Sequence, residues 1–472
     1  FEIGLEVHGS ILVHGFEVDI VIATSLVTLY GKCGRVVYAR TVFDQMTSQD
    51  IVSWNAMITT YAQNRYSHMA LFLFNEMHYR GIKPNNISFV CALDACTNLE
   101  LLLEGKKVHT LVNNSGIVQD ISLGNTLLNM YGKCRSLADA KSLFKRMSLH
   151  DVVSWNAMIT AFAQHDNDDE VFKHFHKMKL EGFEPDQFTY SCVLSVCSSW
   201  GDLSLGRLIH EEIKNTRLET EIPVVNALLD MYAKCGCMEE AHKLFDQMET
   251  RDEASWTSMI SGHVNQRTNE EAWELFNQMP KKDVLSWTAM IQGYVQHGHH
   301  ESALEFFSQM QIEGICPNHI TFGTVIGACA GLLNVELGQE IHAEIIWEGF
   351  QSDLNISNAL IDMYSRCGSI EDAEHVFANI SSVDVVSFGT MIAGYVEHGN
   401  CNLVNHCLQT MRHQGTMPDA GILCSILTAC SQIGQVPEAH RYFLSMREDH
   451  GVILSIEHFN CMADVIARTG CL

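Results

Sequence analysis

Cysteine and histidine are the residue types here that could build a metal centre, and their spacing argues against one. Among 17 Cys and 24 His, the pairs Cys91/Cys96 and Cys192/Cys197 stand five apart on corresponding stretches. That separation can bind metal, but it comes with apolar neighbours and no matching His pattern. His342-Ala343-Glu344 supplies the first half of the His-x-Glu and Pro-Cys-x-x-Cys signature that holds a hydrolytic zinc ion and its activated water. The second half is missing, because the chain contains no Cys-x-x-Cys, and the equivalent stretch bearing His109 lacks the Glu. No Gly-rich phosphate loop, Ser/His/Asp arrangement or paired-carboxylate site stands out. No catalytic residue, metal ligand or cofactor is expected, and the dispersed thiols read as reduced core residues rather than a disulfide framework.

Charge narrows the partners. With 30 Lys and Arg against 56 Asp and Glu, the formal net charge is -26. Bulk phosphate neutralisation needs a broad basic surface, so a nucleic acid could be held only by another mode. No window of about eighteen uninterrupted apolar residues occurs, so no membrane partner is expected. The chain opens at Phe1 without an Arg/Ser-rich leader or a secretory core, which predicts that any targeting peptide lies outside these residues.

What must position any functional side chain is a repeat. Trp54-Asn55-Ala56-Met57-Ile58 recurs at Trp155, Trp256, Trp287 and, with Phe, at Phe388, at spacings of 101, 101, 31 and 101. A Lys/Arg-Cys pair recurs at Cys33, Cys134, Cys235 and Cys367, at spacings of 101, 101 and 132. Both markers describe one supercycle of 101 residues interrupted by a single extra unit of 31. Within a cycle, an apolar run, a break, a second apolar run and a terminal Asp or Asn recur at 31, 35 and 35 residues.

Each unit reads as a helical hairpin. In 51–85, Trp54, Met57, Ile58 and Tyr61 share one helical face, and Ala70, Leu71, Leu73, Phe74 and Met77 share another. Gly81 and Pro84 then end the second helix, as Gly182/Pro185 and Gly314/Pro317 do later. A hairpin this short cannot bury its apolar face alone, so the units must stack into a solenoid with a continuous inner groove. The fold class expected is all-α, a right-handed superhelical array of helix-turn-helix repeats. The Trp residues read as core rather than as an aromatic platform.

These alternating lengths, with segments such as Asn125-Thr126-Leu127-Leu128-Asn129-Met130-Tyr131-Gly132-Lys133-Cys134, resemble the PLS class of pentatricopeptide repeat proteins of plant organelles. The resemblance covers the whole chain. It implies short S units at 20–50, 121–151, 222–252, 253–283 and 354–384, P units at 51–85, 152–186, 284–318 and 385–419, and L units at 86–120, 187–221, 319–353 and 420–455. A partial L unit occupies 1–19 and a partial S unit 456–472. The tetratricopeptide repeat, which binds proteins, keeps a constant period of 34 and a different signature.

The resemblance further implies that each unit reads one base of single-stranded RNA through its fifth and last residues. Thr24/Asp50 and Thr257/Asp283 then imply guanine, Asn55/Asn85 a pyrimidine, and Thr288/Asn318 adenine. Asn125/Asp151, Asn156/Asp186, Asn226/Asp252 and Asn358/Asp384 imply uracil. An Asp carboxylate only accepts hydrogen bonds and suits the ring N–H of uracil or guanine, whereas an Asn amide also donates. Val90/Asp120, Ser191/Glu221, Gly323/Asp353 and Gly389/Asp419 depart from the pattern and leave their bases unassigned. The expected target reads G-Y-n-U-U-n-U-G-A-n-U. Second-position residues Val21, Val52, Val153, Leu285 and Val386 would press on base faces. Lys32, Lys133, Lys234 and Arg366 share the thirteenth position of S units and would form a sparse phosphate-contacting row.

The function implied is site recognition in organellar C-to-U RNA editing, in a mitochondrion or alternatively a chloroplast. Chemistry would come from a deaminase-domain protein or other editing factor, since this chain resembles the family only up to its C-terminal extension motifs. Two alternatives stay open: an organellar RNA stabilisation, splicing or translation factor, and a protein-binding helical scaffold that the acidic charge would suit.

Overall fold

Carboxylate and carboxamide side chains set where the helices begin. Asp50, Asn85, Asp151, Asp186, Asp252, Asp283 and Asn318 each hold extended backbone and accept a bond from the N–H three residues on. Ser or Thr at that third position returns a bond to the cap's own N–H, which completes a capping box. Each cap satisfies a backbone donor that the helix cannot, an effect of about 1 kcal/mol.

The computed structural model describes residues 2–14, 16, 19–116, 120–380, 383–414, 416–433, 436–448 and 456–469, which hold helices and no strand. The stretches 117–119, 381–382 and 449–455, which belong to the units expected at 86–120, 354–384 and 420–455, lie outside the described residues. Two compact units emerge, Phe1–Met231 and Tyr232–Leu472.

The first unit opens with α1 (Glu2–His14) and continues as hairpins: α2 (Ile20–Lys32) with α3 (Val36–Gln45), α4 (Ile51–Gln63) with α5 (Ser67–Tyr79), and α6 (Asn86–Asn98) with α7 (Leu102–Asn114). Three more pairs follow the same plan: α8 (Ile121–Lys133) with α9 (Leu137–Arg146), α10 (Val152–Ala163) with α11 (Asp168–Leu180), and α12 (Gln187–Trp200) with α13 (Leu203–Lys214). The unit boundary falls within α14 (Ile222–Lys234). The first helices α2, α4, α6, α8, α10 and α12 pack side by side in order, and the second helices back them as another layer.

The second unit repeats this plan. After α15 (Met238–Gln247) come α16 (Glu253–Asn265) with α17 (Asn269–Gln278), α18 (Val284–Gln296) with α19 (His300–Ile312), and α20 (His319–Leu332) with α21 (Val335–Trp347). Then follow α22 (Leu354–Arg366) with α23 (Ile370–Ala378), α24 (Val385–Glu397) with α25 (Cys401–His413), α26 (Ala420–Ile433) with α27 (Val436–Glu448), and α28 (Ile456–Thr469). Again the first helices, from α16 through α28, form one continuous layer.

The core lies between the layers. Trp54, Trp155 and Trp287 are at most 2% exposed, so they are core residues and offer no platform to a ligand. Each meets the edge of a Phe from the preceding hairpin's second helix: Phe43 at 5.1 Å from Trp54, Phe144 at 4.8 Å from Trp155, and Phe276 at 4.8 Å from Trp287. The pair therefore joins neighbouring hairpins, and truncating such a Trp to Ala costs about 3–5 kcal/mol. Gly81, Gly182 and Gly314 take φ of 77°, 86° and 76° where α5, α11 and α19 end, which explains glycine at that place in the repeat.

Candidate nucleic-acid interface

Because the last residue of one hairpin caps the first helix of the next, its side chain stands beside the fifth residue of its own hairpin. Asn125 Nδ2 donates to Asp151 Oδ1 at 3.0 Å, and Asn156 Nδ2 donates to both oxygens of Asp186 at 2.9 and 3.0 Å. Asn55 Nδ2 donates to Asn85 Oδ1 at 2.9 Å. In all three, the capping hydroxyl of the next helix donates to the Asn carbonyl at 2.6 Å: Ser88 to Asn55, Ser154 to Asn125, Thr189 to Asn156.

Electrostatics follow from these bonds. Burial alone would raise the Asp151 carboxyl, but the Ser154 N–H and the Asn125 amide that donate to it outweigh burial and hold the group below the usual carboxylate range. Asp151 is therefore an anion at neutral pH. The bonds described occupy Asn125 Oδ1, one Asn125 N–H and Asp151 Oδ1, which leaves a second amide N–H and Oδ2 as a donor and an acceptor.

Threonine units differ. Thr24 and Thr257 spend their hydroxyl protons on the carbonyls of Ile20 and Glu253, at 2.6 and 2.8 Å, rather than on Asp50 or Asp283. Thr288 likewise donates to Val284 O at 2.6 Å and accepts from the Thr321 hydroxyl at 2.7 Å, which also lies 3.0 Å from Asn318 Oδ1. These residues thus offer acceptor lone pairs. The Asn358 carbonyl is buried without a partner, and Ser387 turns to Asp384 instead, at 2.8 Å. Asn226 is half-buried on α14, and Asp252 caps α16.

The second positions form an exposed apolar row within each unit. Val21, Val52 and Val153 are 70, 58 and 56% exposed in the first, and Leu285 and Val386 are 50 and 60% exposed in the second. Ile87, Phe188 and Ile320 occupy the same position in 86–120, 187–221 and 319–353 and are exposed as well. The sequence reading named other second-position residues and not these three. Their periodic position was the available signal. Ile87 lines an open cavity of about 600 Å³ on α4, α6 and α8 together with Thr59, Gln63, Val90 and Asp94. Asn86 at its rim donates to Asp120 Oδ2 at 3.0 Å, where Val90 cannot.

The thirteenth-position cations are exposed, but they are not equivalent. Lys32 and Lys133 end α2 and α8, and Lys234 ends α14. Arg366 is joined to Asp362 one turn earlier, Nε to Oδ2 at 3.0 Å, which reduces its net field.

The apparent zinc half-site is structural. His342 Nδ1 meets the Tyr364 hydroxyl at 3.0 Å and Glu344 accepts from Gln311, so both side chains join adjacent hairpins. Cys91 and Cys96 are buried free thiols, and burial pushes Cys96 up to about 12, which leaves it protonated and a poor metal ligand. Among the described residues no helix is long and apolar enough to cross a membrane.

Segments 49–98, 150–199 and 282–331 match the PPR repeat family, and 21–51, 125–152, 224–252, 254–284, 356–382, 386–416 and 422–450 match the PPR repeat. A pentatricopeptide repeat-containing protein of Arabidopsis thaliana is 36% identical over 504 residues, covering 99% of this chain and 72% of its own length. A chloroplastic relative from that plant is 33% identical over 469 residues and a mitochondrial one 32% over 488, each covering 99% of this chain. The chain spans about half the length of those two, 50% of each. The crystal structure of the pentatricopeptide repeat protein PPR10 from maize superposes with a TM-score of 0.50 and 17% identity, over 95% of this chain and 71% of that one. Repeat matches over most of the sequence, a relative covered over most of its length, and stacked helical hairpins agree: the chain is a member of the pentatricopeptide repeat family.

Proposed function

We propose that this chain binds single-stranded RNA sequence-specifically, one nucleotide per hairpin, as the site-recognition part of an organellar C-to-U editing factor of the PLS class. The observation that carries the reading is the polar pair joining fifth and last residues, as in Asn125–Asp151. Its unspent N–H and carboxylate oxygen match the carbonyl and the ring N–H of uracil. Threonine in place of Asn removes the donor and leaves space, which suits a purine.

Exposed Val21, Val52, Val153, Leu285 and Val386, beside these pairs along the chain, would contact base faces. This mode needs few phosphate contacts, and so it accommodates a net charge of -26. Lys32, Lys133, Lys234 and Arg366 are assigned those contacts. The deaminase chemistry is assigned to a further domain or partner, and the organelle is a mitochondrion or a chloroplast.

The test is a binding titration with RNA carrying G-Y-n-U-U-n-U-G-A-n-U against the same bases scrambled. Tighter binding to the ordered RNA supports register and function. Equal affinity removes the base assignments, and no binding favours a protein-binding scaffold.

A further inference from the structure

The hydroxyl at the third position of the following hairpin bonds the carbonyl of the Asn in the reading pair before it. We propose that Ser154 and Thr189 are positioning residues that set base selectivity at the Asn125/Asp151 and Asn156/Asp186 positions by anchoring the carbonyl end of a carboxamide whose amino end the carboxylate already holds. The inference rests on the RNA-binding reading above.

Valence makes the argument. A serine hydroxyl has one proton. Ser154 Oγ accepts the Asp151 N–H at 3.2 Å and lies 2.6 Å from Asn125 Oδ1 and 2.8 Å from Asp151 Oδ1. The carboxylate already receives the Ser154 N–H at 2.8 Å and Asn125 Nδ2 at 3.0 Å. An ionised carboxylate cannot donate, so Asn125 must turn its amino group toward Asp151 and its carbonyl toward Ser154. Two bonds to opposite ends of one carboxamide lock it, and one N–H remains as a donor. Without the hydroxyl the carbonyl loses its donor, and the side chain is held at one end only. Thr189 meets the Asn156 carbonyl likewise, 2.6 Å to Oδ1, although there the amide lies against both Asp186 oxygens. A built-in comparison exists: Ser286 caps α18 by accepting the Asp283 N–H at 3.0 Å and donates back to the Asp283 carbonyl at 2.9 Å, while Thr257 turns to Glu253. Ser286 shares the capping role without the orienting one.

The experiment measures, on the whole chain, the affinity ratio for RNAs carrying U or C at one nucleotide, alongside thermal stability. Ser154→Ala and the nearly isosteric Thr189→Val should each lower the U-over-C ratio at their own nucleotide by about three- to tenfold, the worth of one hydrogen bond. Ser154→Thr should keep it. Ser286→Ala should lose stability like Ser154→Ala yet leave the guanine preference at the Thr257/Asp283 nucleotide in place. Thr189→Val covers the case in which Ser154→Ala fails to fold. A wild-type protein that discriminates U from C, with both hydroxyl deletions discriminating equally well, overturns this inference and leaves RNA reading intact. A wild-type protein that binds without discriminating at these nucleotides overturns both.

Discussion

The Asn156 amide lies against both oxygens of the Asp186 carboxylate, at 2.9 and 3.0 Å, while Asp186 also holds the Thr189 N–H at the start of α12. One side chain therefore starts a helix and completes a reading pair. Asp and Asn cap about equally well, so Asp186→Asn should preserve the melting temperature. It replaces an acceptor with a group that also donates, and so preference at that nucleotide should move from uracil toward cytosine by about tenfold. Competition binding with RNAs differing at that base checks it, and an unchanged preference contradicts the assigned register.

Thr257→Asn should act in the opposite sense. Thr257 is tied to its own helix through Glu253, whereas Asn at that position can reach Asp283 as Asn125 reaches Asp151. Preference should change from guanine to uracil, read in the same competition assay.

Lys133→Ala should weaken all RNA sequences alike, because a phosphate contact carries no base information. The slope of log affinity against log salt should fall by about 0.7, the single-strand value for one contact. Arg366→Ala should do less, since Asp362 already neutralises part of that charge. A loss confined to one RNA sequence would argue against phosphate contact at Lys133.

The hairpins, their core faces and the helix starts were legible in the sequence, because terminal Asp and Asn at fixed spacing are capping signals and the Trp and Phe recur in phase. The closure of individual pairs was not. Asn358 and Asn125 occupy the same unit position, yet the Asn358 carbonyl lacks a partner and the Ser387 hydroxyl bonds Asp384 alone. Periodicity fixes the residue types at these positions but not which of two neighbouring acceptors a hydroxyl meets. The role of Ser154 was hidden for another reason: a Ser three residues after a cap reads as a capping partner, and its second bond reaches back across 29 residues. The Arg366–Asp362 pair, by contrast, was readable as a helical spacing of four.

Acid should loosen the structure through its buried histidines. His109 lies 2.7 Å from the Tyr131 hydroxyl, and burial, aided by Arg146, holds it below the usual histidine range against the opposing pull of Asp139. Burial does the same to His342 and, against Glu170, to His174. Folded protein then binds these protons more weakly than unfolded chain, whose histidines titrate near about 6.5. The stabilisation is full above that value and is lost as pH falls through the lowered folded values. Melting temperature should rise from pH 5.5 to 7.5, on the order of a few degrees, and His109→Gln should flatten the rise.

Gly132→Ala should destabilise. Its Cβ would stand 2.9 Å from Ala161 Cβ on the neighbouring first helix, an atom that no rotamer can move aside, so α8 and α10 must part. Overpacking of about 1–3 kcal/mol outweighs the helix propensity gained. At Gly327 nothing lies within 4 Å, and Gly327→Ala should gain about 1 kcal/mol instead. Thermal melts of the two variants give the comparison.

That the last residue of a hairpin is also the cap of the next helix has an evolutionary consequence. Under the proposed reading, the letters favoured at that position are side chains that can begin a helix, as Asp151, Asp186, Asn85 and Asn318 do, although Glu221 departs from this. Asp and Asn codons differ by one nucleotide and cap with similar strength. A lineage can therefore exchange one target base for another without passing through a poorly folded ancestor, and specificity in such a protein can drift faster than its architecture.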